Sequence, residues 1–360
     1  MHVNAIVLAA GEGTRMRSTR PKPLHRICGR SMVMHVIHAL EGLTLQQTVV
    51  VVGHGAERVT KSVQEEAPTW AAVTFTEQLV QRGTGDAAMV GLRACGEERL
   101  DDASTVLILP GDTPLIRAET IRQLVNLHES SGNAATVLST HVADPTGYGR
   151  ILHAKDGRVT RIVEHKDASE DEQTITEINT GIYAFRRDVL GPALRRIGNN
   201  NSQAEYYLTD VIEVLAEMGH TVQSLEAPYS ETAGVNDRLQ LALAERELRA
   251  RVNQQWLLSG VTMLDPAQAF IDVTVRIGQD VTLFPGVILQ GDTVIGDSCE
   301  IGPGCHIVDS VVGDRATIHS SRVEDAEIGA DAVVGPFASL EPGASVANGQ
   351  RTGAFYTGRS

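Results

Sequence analysis

The residues with the clearest potential for chemistry follow the first hydrophobic segment of the chain. The stretch AIVLAAGEGTRMRSTRPKPLH occupies residues 5–25 and places glycines and basic side chains directly after small apolar residues. Gly11 and Gly13 can present backbone N–H groups to phosphate oxygens, because no side chain blocks the approach. Arg15 and Lys22 follow, and prolines on both sides of Lys22 hold it in extended geometry. The pattern predicts a phosphate-binding loop; an ordinary tight turn with solvated charges is the alternative.

Alternating strands and helices must position these residues. Short, continuous apolar runs suit strands that are buried on both faces, and amphipathic stretches lie between them. This alternation predicts an α/β domain with a mostly parallel sheet, whose ligand sites lie at the carboxyl ends of the strands. The predicted strands are Ala5–Ala9, Thr48–Val52, Ala72–Phe75, Thr105–Leu109 and Ala134–Ser139, and the predicted helices are Met32–Leu40, Ala56–Glu66 and Ala118–Ser130.

The composition argues against several classes of partner. A net charge of −14 over 360 residues disfavours nucleic acid and anionic membranes, although an anionic small substrate can still bind a local basic pocket. No apolar run reaches the ~20 residues of a membrane span, and residues 3–10 lack the charged lead-in of a signal peptide. Cys28, Cys95, Cys299 and Cys305 include no CxxC pair, so we expect four free thiols in a reducing cytoplasm.

The last third of the chain has a different periodicity. Aliphatic residues recur every five or six positions, and glycine often follows them, as in VIGDS and EIGPG. Such a hexapeptide repeat predicts a parallel β-helix, in which each short strand gives one aliphatic residue to a shared interior. The predicted interior positions are Ile277, Leu283, Leu289, Ile295, Ile301, Ile307, Val312, Ile318, Val323, Ile328, Val334, Leu340 and Val346.

A segment without glycine or proline separates the two patterns. Residues 236–258 are rich in leucine, alanine, glutamate and arginine, which predicts one long helix. We therefore predict an α/β domain at 1–235, a linker helix at 236–259 and a β-helix at 260–360.

Several motifs, in order along the chain, resemble one enzyme family. LAAGEGTRMRSTRPKPLH is similar to the LxxGxGxRM…PKxL signature of sugar-1-phosphate nucleotidylyltransferases. GTGDAA, LPGDTPLI, DPTGYGRI, IVEHKDA, EINTGI, NNNSQAEYYLTD and GVNDRLQL follow it between residues 83 and 241. Together they resemble the bifunctional N-acetylglucosamine-1-phosphate uridylyltransferase family over essentially the whole chain. The resemblance implies a Rossmann-like nucleotidyltransferase domain and a left-handed β-helix. It also implies Mg²⁺-dependent transfer of uridylyl from UTP to N-acetylglucosamine 1-phosphate, without a covalent intermediate.

The same resemblance implies the site residues. Arg15 and Lys22 would be catalytic, holding the triphosphate and stabilising developing charge. Asp112 and Asn236 would bind Mg²⁺ through oxygen; a turn role for Asp112 and a helix-capping role for the neighbouring Asp237 are the plainer alternatives. The nucleotide-binding residues would be Leu8, Ala10, Gly11, Gly13, Lys22, Gln81, Gly83 and Thr84. The sugar-binding residues would be Gly149, Glu164, Asn179 and Asn236.

Two positions depart from the family's base-binding segment. Asp86 stands where the family commonly has histidine, and Arg82 stands where it commonly has leucine. Gln78 is a rival to Gln81 for the edge of the uracil. A nucleotidyltransferase for another sugar 1-phosphate or another nucleotide is therefore one alternative. A non-catalytic regulatory protein that binds a sugar nucleotide is a second, which the presence of all the candidate catalytic and metal-binding residues disfavours.

The β-helix departs from the family pattern more strongly. GPFASLEPGA at 335–344 begins as in the family, but Ser339 and Glu341 occupy places that the family fills with basic residues. Arg359 and Ser360 fall where relatives carry a lysine pair, and the histidine-bearing GHLTY segment is not found. We therefore expect no acetyltransferase activity and a shortened β-helix. A fragment and a natural single-function relative both fit, and the substituted positions favour the second. Relatives associate as trimers through this part, so we expect a homotrimer.

Overall fold

The computed structural model describes residues 2–96 and 104–358. These residues form two units: one comprises the chain up to residue 25 together with 31–244, and the other comprises 26–30 together with the chain from 245 onwards. Arg359 and Ser360 lie outside the described residues. The division falls inside a helix at Arg238–Leu258, so the three-part division at 235 and 259 remains a prediction.

Strands and helices alternate up to the end of this long helix, as the sequence predicts. The strands are β1 (Val3–Ala9), β2 (Arg26–Ile27), β3 (Arg30–Ser31), β4 (Leu45–Val52), β5 (Val73–Glu77), β6 (Thr105–Pro110), β7 (Ala135–His141), β8 (Arg150–His153), β9 (Val159–Val163), β10 (Glu177–Arg186) and β11 (Val222–Glu226). The helices are α1 (Met32–His38), α2 (Ala56–Glu66), α3 (Thr84–Ala94), α4 (Ala118–Ser131), α5 (Glu170–Gln173), α6 (Arg187–Leu194), α7 (Asp210–Glu217), α8 (Tyr229–Thr232) and α9 (Arg238–Leu258).

One sheet, nine-stranded within the described residues, organises the first unit. Its order is β11-β7-β10-β6-β1-β4-β5, with β8 and β9 attached beside β10. Strand β1 pairs in parallel with β4 and β6, whereas β10 runs antiparallel to β6 and β7. The sheet confirms the predicted α/β class with mostly parallel strands.

Helices cover both faces of this sheet. Ile6 of β1 lies in a cluster of buried side chains with α3, α6 and α7, whereas its neighbour Val7 lies in a cluster with α1, α2 and α4. Successive strand positions are therefore all apolar, because neither face of the sheet meets water. The carboxyl ends of β1, β4 and β6 remain open for a site.

The second unit consists of very short parallel strands. They are β12 (Thr262–Met263), β13 (Phe270–Ile271), β14 (Arg276–Ile277), β15 (Thr282–Leu283), β16 (Ile288–Gln290), β17 (Val294–Ile295), β18 (Glu300–Ile301), β19 (His306–Val308), β20 (Val311–Val312), β21 (Thr317–Ile318), β22 (Arg322–Glu324), β23 (Glu327–Ile328), β24 (Val333–Val334), β25 (Ser339–Leu340), β26 (Ser345–Val346) and β27 (Thr357–Gly358). Nearly every third strand joins the same sheet, so each turn of the coil contributes one strand to each of three parallel sheets.

The interior of the coil confirms the predicted repeat. Each predicted interior residue is the second residue of its strand, and all of them are buried except Ile277, which is half-buried against the same cluster. The three parallel sheets and the hexapeptide period are those of a left-handed β-helix. All four cysteines of the chain are free thiols, as predicted.

Within the described ranges, none of the helices combines the length and the apolar character needed to cross a bilayer.

Candidate active site

A cavity of about 620 Å³ lies at the carboxyl end of the sheet in the first unit. Segments that follow β1, β5 and β6 line it, because parallel strands bring their carboxyl ends to one edge. Most of the predicted site residues are in this lining: Leu8, Ala10, Gly11, Gly13, Lys22, Gln81, Gly83, Thr84, Asp112, Gly149, Glu164 and Asn179. Arg15 and Asn236 are outside the lining and reach it through hydrogen bonds.

The two glycines of the opening loop have separate structural roles. Gly13 has a φ of +65°, and a Cβ there would lie 2.6 Å from Cβ of Lys22, so only glycine lets the lysine fold back over the loop. A Cβ at Gly11 would meet no protein atom within 4 Å. Gly11 therefore keeps space open toward the cavity, and Gly13 shapes the loop itself.

The candidate catalytic and metal-binding residues meet at one point. The ammonium group of Lys22 donates hydrogen bonds to Oδ2 of Asp112 and, at 2.8 Å, to Oδ1 of Asn236. Arg15 donates to the same Oδ1 at 2.9 Å. The backbone N–H of Val235 donates to the carbonyl of Asp112 at 2.9 Å. Residues from three distant parts of the sequence are thus held together beside the opening loop.

The oxygens of Asp112 and Asn236 fit a divalent cation. They already converge on one positively charged atom, the nitrogen of Lys22. A carboxylate and an amide oxygen suit an oxygen-preferring ion that takes its remaining ligands from phosphate and water. Within the described ranges there is no group of three or more His, Cys, Asp or Glu side chains that could hold a metal. A site there would thus depend on the ligand as well as on the protein.

The start of α9 positions Asn236 rather than supplying a rival ligand. Oδ1 of Asp237 accepts a hydrogen bond from the backbone N–H of Gln240 at 2.8 Å, which is the geometry of a helix cap. The side-chain oxygen of Gln240 accepts the N–H of Asn236 at 2.7 Å. Arg238 donates to the carbonyl of Met16 at 3.2 Å and so ties the helix to the opening loop.

Two glutamines lie at the end of the cavity that the resemblance assigns to the base. Gln81 donates a hydrogen bond from Nε2 to the carbonyl of Ala10 at 2.8 Å. Gln78 is only 5% exposed, and its Nε2 donates to the carbonyl of Gly83 at 3.2 Å and to Oδ2 of Asp86 at 2.7 Å. Because both amide hydrogens are used, Gln78 offers a ligand only its Oε1, which is an acceptor. The departure at Asp86 thus fixes the orientation of Gln78.

The segment around Tyr206 shapes the same end of the cavity. Gly83 has a φ of +105°, and a Cβ there would lie 2.5 Å from the carbonyl oxygen of Tyr206. Tyr206 donates from its N–H to the carbonyl of Arg82, and its own carbonyl accepts from Gly85, both at 2.8 Å. The hydroxyl of Thr84 accepts the N–H of Leu208 at 3.0 Å. The GTGD and AEYYL motifs therefore pair with each other.

The predicted sugar-binding residues are neighbours. The N–H of Asn179 donates to the carbonyl of Gly149 at 2.9 Å, and a Cβ on Gly149 would lie 3.6 Å from Oε1 of Glu164. Thr209 donates from its hydroxyl to Oε1 of Glu164 at 3.2 Å. Burial raises the pKa of the Glu164 carboxyl; the hydrogen bond from Thr209 works in the opposite direction, and the charge of Asp210 adds to the increase.

Some residues of the lining are outside the predicted set. Thr209 is one, although its motif AEYYLTD had been singled out; Tyr206 of the same motif does not line the cavity. Tyr183 is another, and its hydroxyl accepts a hydrogen bond from Nδ2 of Asn179 at 2.7 Å. No sequence signal marks Tyr183, because it reads as an ordinary strand residue inside β10.

Comparison with known proteins gives the family. A model described as a MobA-like NTP transferase domain matches residues 5–183, and a bacterial transferase hexapeptide model of six repeats matches residues 274–309. A solved structure of UDP-glucose pyrophosphorylase complexed with UDP-glucose has a TM-score of 0.56 and covers 70% of this chain and 100% of its own. At 15% identity this likeness concerns the fold alone.

Relatives with similar sequences over nearly the whole chain say more about the family. Bifunctional protein GlmU of Streptomyces avermitilis is 48% identical over 97% of this chain and 72% of its own length. The protein of the same name from Halalkalibacterium halodurans is 42% identical over 98% and 75%, and that from Exiguobacterium sibiricum is 45% identical over 98% and 76%. These similarities confirm the predicted nucleotidyltransferase that acts on UTP and N-acetylglucosamine 1-phosphate. The chain belongs to the family of the bifunctional GlmU proteins.

Proposed function

We propose that the cavity carries out uridylyl transfer from UTP to N-acetylglucosamine 1-phosphate through the residues assigned above. A phosphate oxygen of the sugar phosphate attacks the α-phosphorus of UTP in line. The new P–O bond forms as the bond to pyrophosphate breaks, and UDP-N-acetylglucosamine results. The observation that carries the proposal is the meeting of Lys22, Asp112 and Asn236 beside the open Gly11, with Glu164 and Asn179 in the same cavity.

Catalysis in this cavity depends on positioning and charge neutralisation. Lys22 and Arg15 are the cations that contact the candidate metal ligands, and they bind the triphosphate and stabilise the charge that develops on the leaving pyrophosphate. Gly11 lets the loop backbone approach the phosphates closely. No nucleophilic side chain is needed, because the substrate itself supplies the attacking oxygen.

Asp112 and Asn236 would hold the metal ion, which we propose to be Mg²⁺. The ion supplies positive charge to the phosphate oxygens when it is bound. The contact between Lys22 and these two oxygens keeps them converged and compensates the charge of Asp112. The ammonium group of Lys22 would be displaced by an ion bound to these two oxygens, and its three donors could then serve phosphate oxygens.

Selectivity follows from the two ends of the cavity. Oε1 of Gln78 accepts a hydrogen bond, so it favours a base with an N–H donor on its edge, as uracil has at N3, over cytosine, which has an acceptor there. Gln81, Gly83 and Thr84 complete the base end. Glu164 accepts hydrogen bonds from sugar hydroxyls, and Asn179 presents its side-chain amide beside it.

Pyrophosphate release by the purified chain with Mg²⁺ tests the proposal. UTP, dTTP and CTP would each be combined with N-acetylglucosamine 1-phosphate and with glucose 1-phosphate. We expect release with UTP and the acetylated sugar. Release with another pairing would keep the chemistry and reassign one end of the cavity, whereas no release with any pair would refute the proposal.

We also propose that the enzyme works as a cytoplasmic homotrimer. Hexapeptide β-helices are compatible with association, and the four reduced cysteines suit a reducing compartment. Sedimentation equilibrium at several concentrations would test the assembly, and a molar mass of one chain throughout would contradict it.

A further inference from the structure

Arg150 is a buried cation directly behind the sugar end of the cavity. It is the first residue of β8 and only 1% exposed, and no buried side chain of the described residues is larger. Burial lowers its pKa, and a buried charge is costly unless hydrogen-bond acceptors surround it. Arg150 therefore needs hydrogen-bond acceptors around its guanidinium group to offset the cost of burial.

The partners of Arg150 are neutral acceptors. Its Nη1 donates to the carbonyl of Tyr148, and its Nη2 lies 3.2 Å from Nδ1 of His165 and 3.5 Å from the carbonyl of Gln173. No carboxylate is among its hydrogen-bond partners within the described part of the chain. The guanidinium group thus fixes the geometry of neighbouring segments through neutral acceptors, and the negative charge of Asp144 acts on it without a hydrogen bond.

Those segments carry the proposed sugar-binding residues. Tyr148 precedes Gly149, and His165 follows Glu164. Tyr148, Gly149 and Glu164 line the cavity, whereas Arg150 and His165 do not. One rigid guanidinium group therefore braces, from behind, the two loops that face the sugar.

We propose that Arg150 is a positioning residue for the sugar phosphate and that it acts through His165. The proposal rests on the assignment of Glu164 and Gly149 to the sugar. A guanidinium group can only donate hydrogen bonds, so Nδ1 of His165 must accept and the ring is neutral, with its proton on Nε2. Loss of this brace would let Glu164 shift relative to Gly149, and small misplacements of a binding group weaken its use strongly.

Substitutions of His165 give the sharpest test, because this side chain is half-buried and its replacement endangers the fold less than loss of Arg150. His165→Leu removes the acceptor, whereas His165→Asn keeps an acceptor oxygen near the position of Nδ1. We expect His165→Leu to raise the KM for N-acetylglucosamine 1-phosphate about tenfold, with the KM for UTP unchanged, within the range of such misplacements. His165→Asn should restore a nearly wild-type KM.

Two further variants serve as controls. His153→Leu, on the same strand as Arg150, removes a histidine that binds Glu177 at 2.7 Å outside the cavity lining, and it should leave both KM values unchanged. Arg150→Lys should behave like His165→Leu, because a lysine cannot span the separate acceptors. Thermal denaturation of each variant shows whether it is folded. If Arg150→Lys does not fold, the comparison of His165→Leu with His165→Asn still tests the positioning role.

Glu164→Gln separates the two proposals. If it leaves the KM for the sugar phosphate unchanged, the sugar site itself is misassigned. If Glu164→Gln raises this KM while His165→Leu behaves like His153→Leu, the positioning role of Arg150 is refuted and the sugar site stands. Equal KM increases in His165→Leu and His165→Asn would also refute the brace.

Discussion

At the residue scale, Lys22 makes contacts of two kinds that matter for phosphate chemistry. Its carbon chain packs over Gly13, and its ammonium group contacts both candidate ligands of one metal ion. A single lysine thus links the shape of the opening loop to the ligand pair. Substitutions in the opening loop and substitutions in the ligand pair should therefore have different effects on the enzyme.

Asp112→Asn should lower turnover by more than ~100-fold, in the range seen when a charge-stabilising group is removed. The amide keeps the shape of the side chain but loses the charge that would attract the metal ion. Pyrophosphate release as a function of Mg²⁺ concentration measures the effect. Asp156→Asn, an exposed aspartate paired with Arg158, is the matched control and should be neutral. Near wild-type turnover of Asp112→Asn would rule out the metal assignment.

Gly11→Ala and Gly13→Ala should differ in kind. Alanine at Gly13 must adopt a positive φ and press on Lys22, which costs about 1–2 kcal/mol or more of stability. Alanine at Gly11 meets no protein atom, so the melting temperature should be unchanged while the KM for UTP rises. Calorimetry and kinetics on both variants test this contrast. An unchanged KM for Gly11→Ala would mean that the loop backbone does not approach the nucleotide.

Most of the predicted site residues line the cavity: residue types indicated the opening loop, and the family resemblance indicated the base and sugar ends. Glycine pairs, a lysine between prolines and an aspartate after a strand are visible without a structure. The extended geometry predicted at Lys22 was wrong, because Lys22–Leu24 forms a short 3₁₀ helix. The role of Gln78 was harder to predict from the sequence, because it depends on which atoms of its side-chain amide already make hydrogen bonds. That orientation is set by Asp86 and Gly83, through contacts made only in the folded chain.

At the scale of single elements, the first turns of α6 and α7 carry aspartates with opposite behaviour. Burial raises the pKa of Asp210 to about 6, and the charges of Glu213 and Asp167 add to this. Hydrogen bonds from Arg186 lower the pKa of Asp188. The folded state therefore favours the protonated form of one carboxyl and the ionised form of the other.

Asp210→Asn should consequently stabilise the protein at pH 8 more than at pH 5. The native contribution of Asp210 is present at low pH and is lost as the pH rises through about 6, so removing the charge helps most above that value. Asp188→Asn is the control with the opposite sign. Its cost should be the same at pH 8 and at pH 5, because the pKa of Asp188 is lowered and lies below both values. Melting temperatures across this range test both, and equal shifts of Asp210→Asn at the two pH values would contradict the prediction.

Strands were predicted correctly where a single rule determines the pattern of apolar residues. In the β-helix, the interior positions from Ile277 onwards were predicted because each strand repeats one buried aliphatic residue, whereas Met263 and Ile271 of the first two strands were missed. In the α/β unit, the parallel strands β1, β4, β5, β6 and β7 were found through their apolar runs, whereas the parallel strand β11 was not predicted. Strand β10 was not among the predicted strands, since its sequence EINTGIYAFR breaks the apolar run with asparagine, threonine and glycine. Those residues are present because the strand also supplies Asn179 to the cavity.

At the scale of the whole molecule, we expect the β-helix to lack acetyltransferase activity. Ser339 and Glu341 replace basic residues of the family pattern, and the carboxylate of Glu341 would repel an anionic substrate. An assay with glucosamine 1-phosphate and acetyl-CoA should show no release of coenzyme A. A bifunctional relative, such as that of Streptomyces avermitilis, is the positive control. Release by this chain above background would overturn the expectation.

The division of the chain into units was only partly predictable. The change from apolar runs to hexapeptides marks the second unit clearly. The assignment of residues 26–30 to that unit has no counterpart in the sequence analysis, because five residues are too few to show a period. Long-range association of this kind depends on the folded chain.

The stacking of the β-helix also limits how its length can change. Each residue's partner in the next coil lies 16 to 18 positions later, as in the pairs Leu289–Ile307 and Ile307–Val323. Loss of one complete coil would leave every later strand on its original sheet. Loss of a single hexapeptide would move each later strand to the neighbouring side of the prism and carry its outward residues with it. Insertions and deletions in this half of the chain should therefore be tolerated in whole coils, so its length is counted in coils rather than in residues.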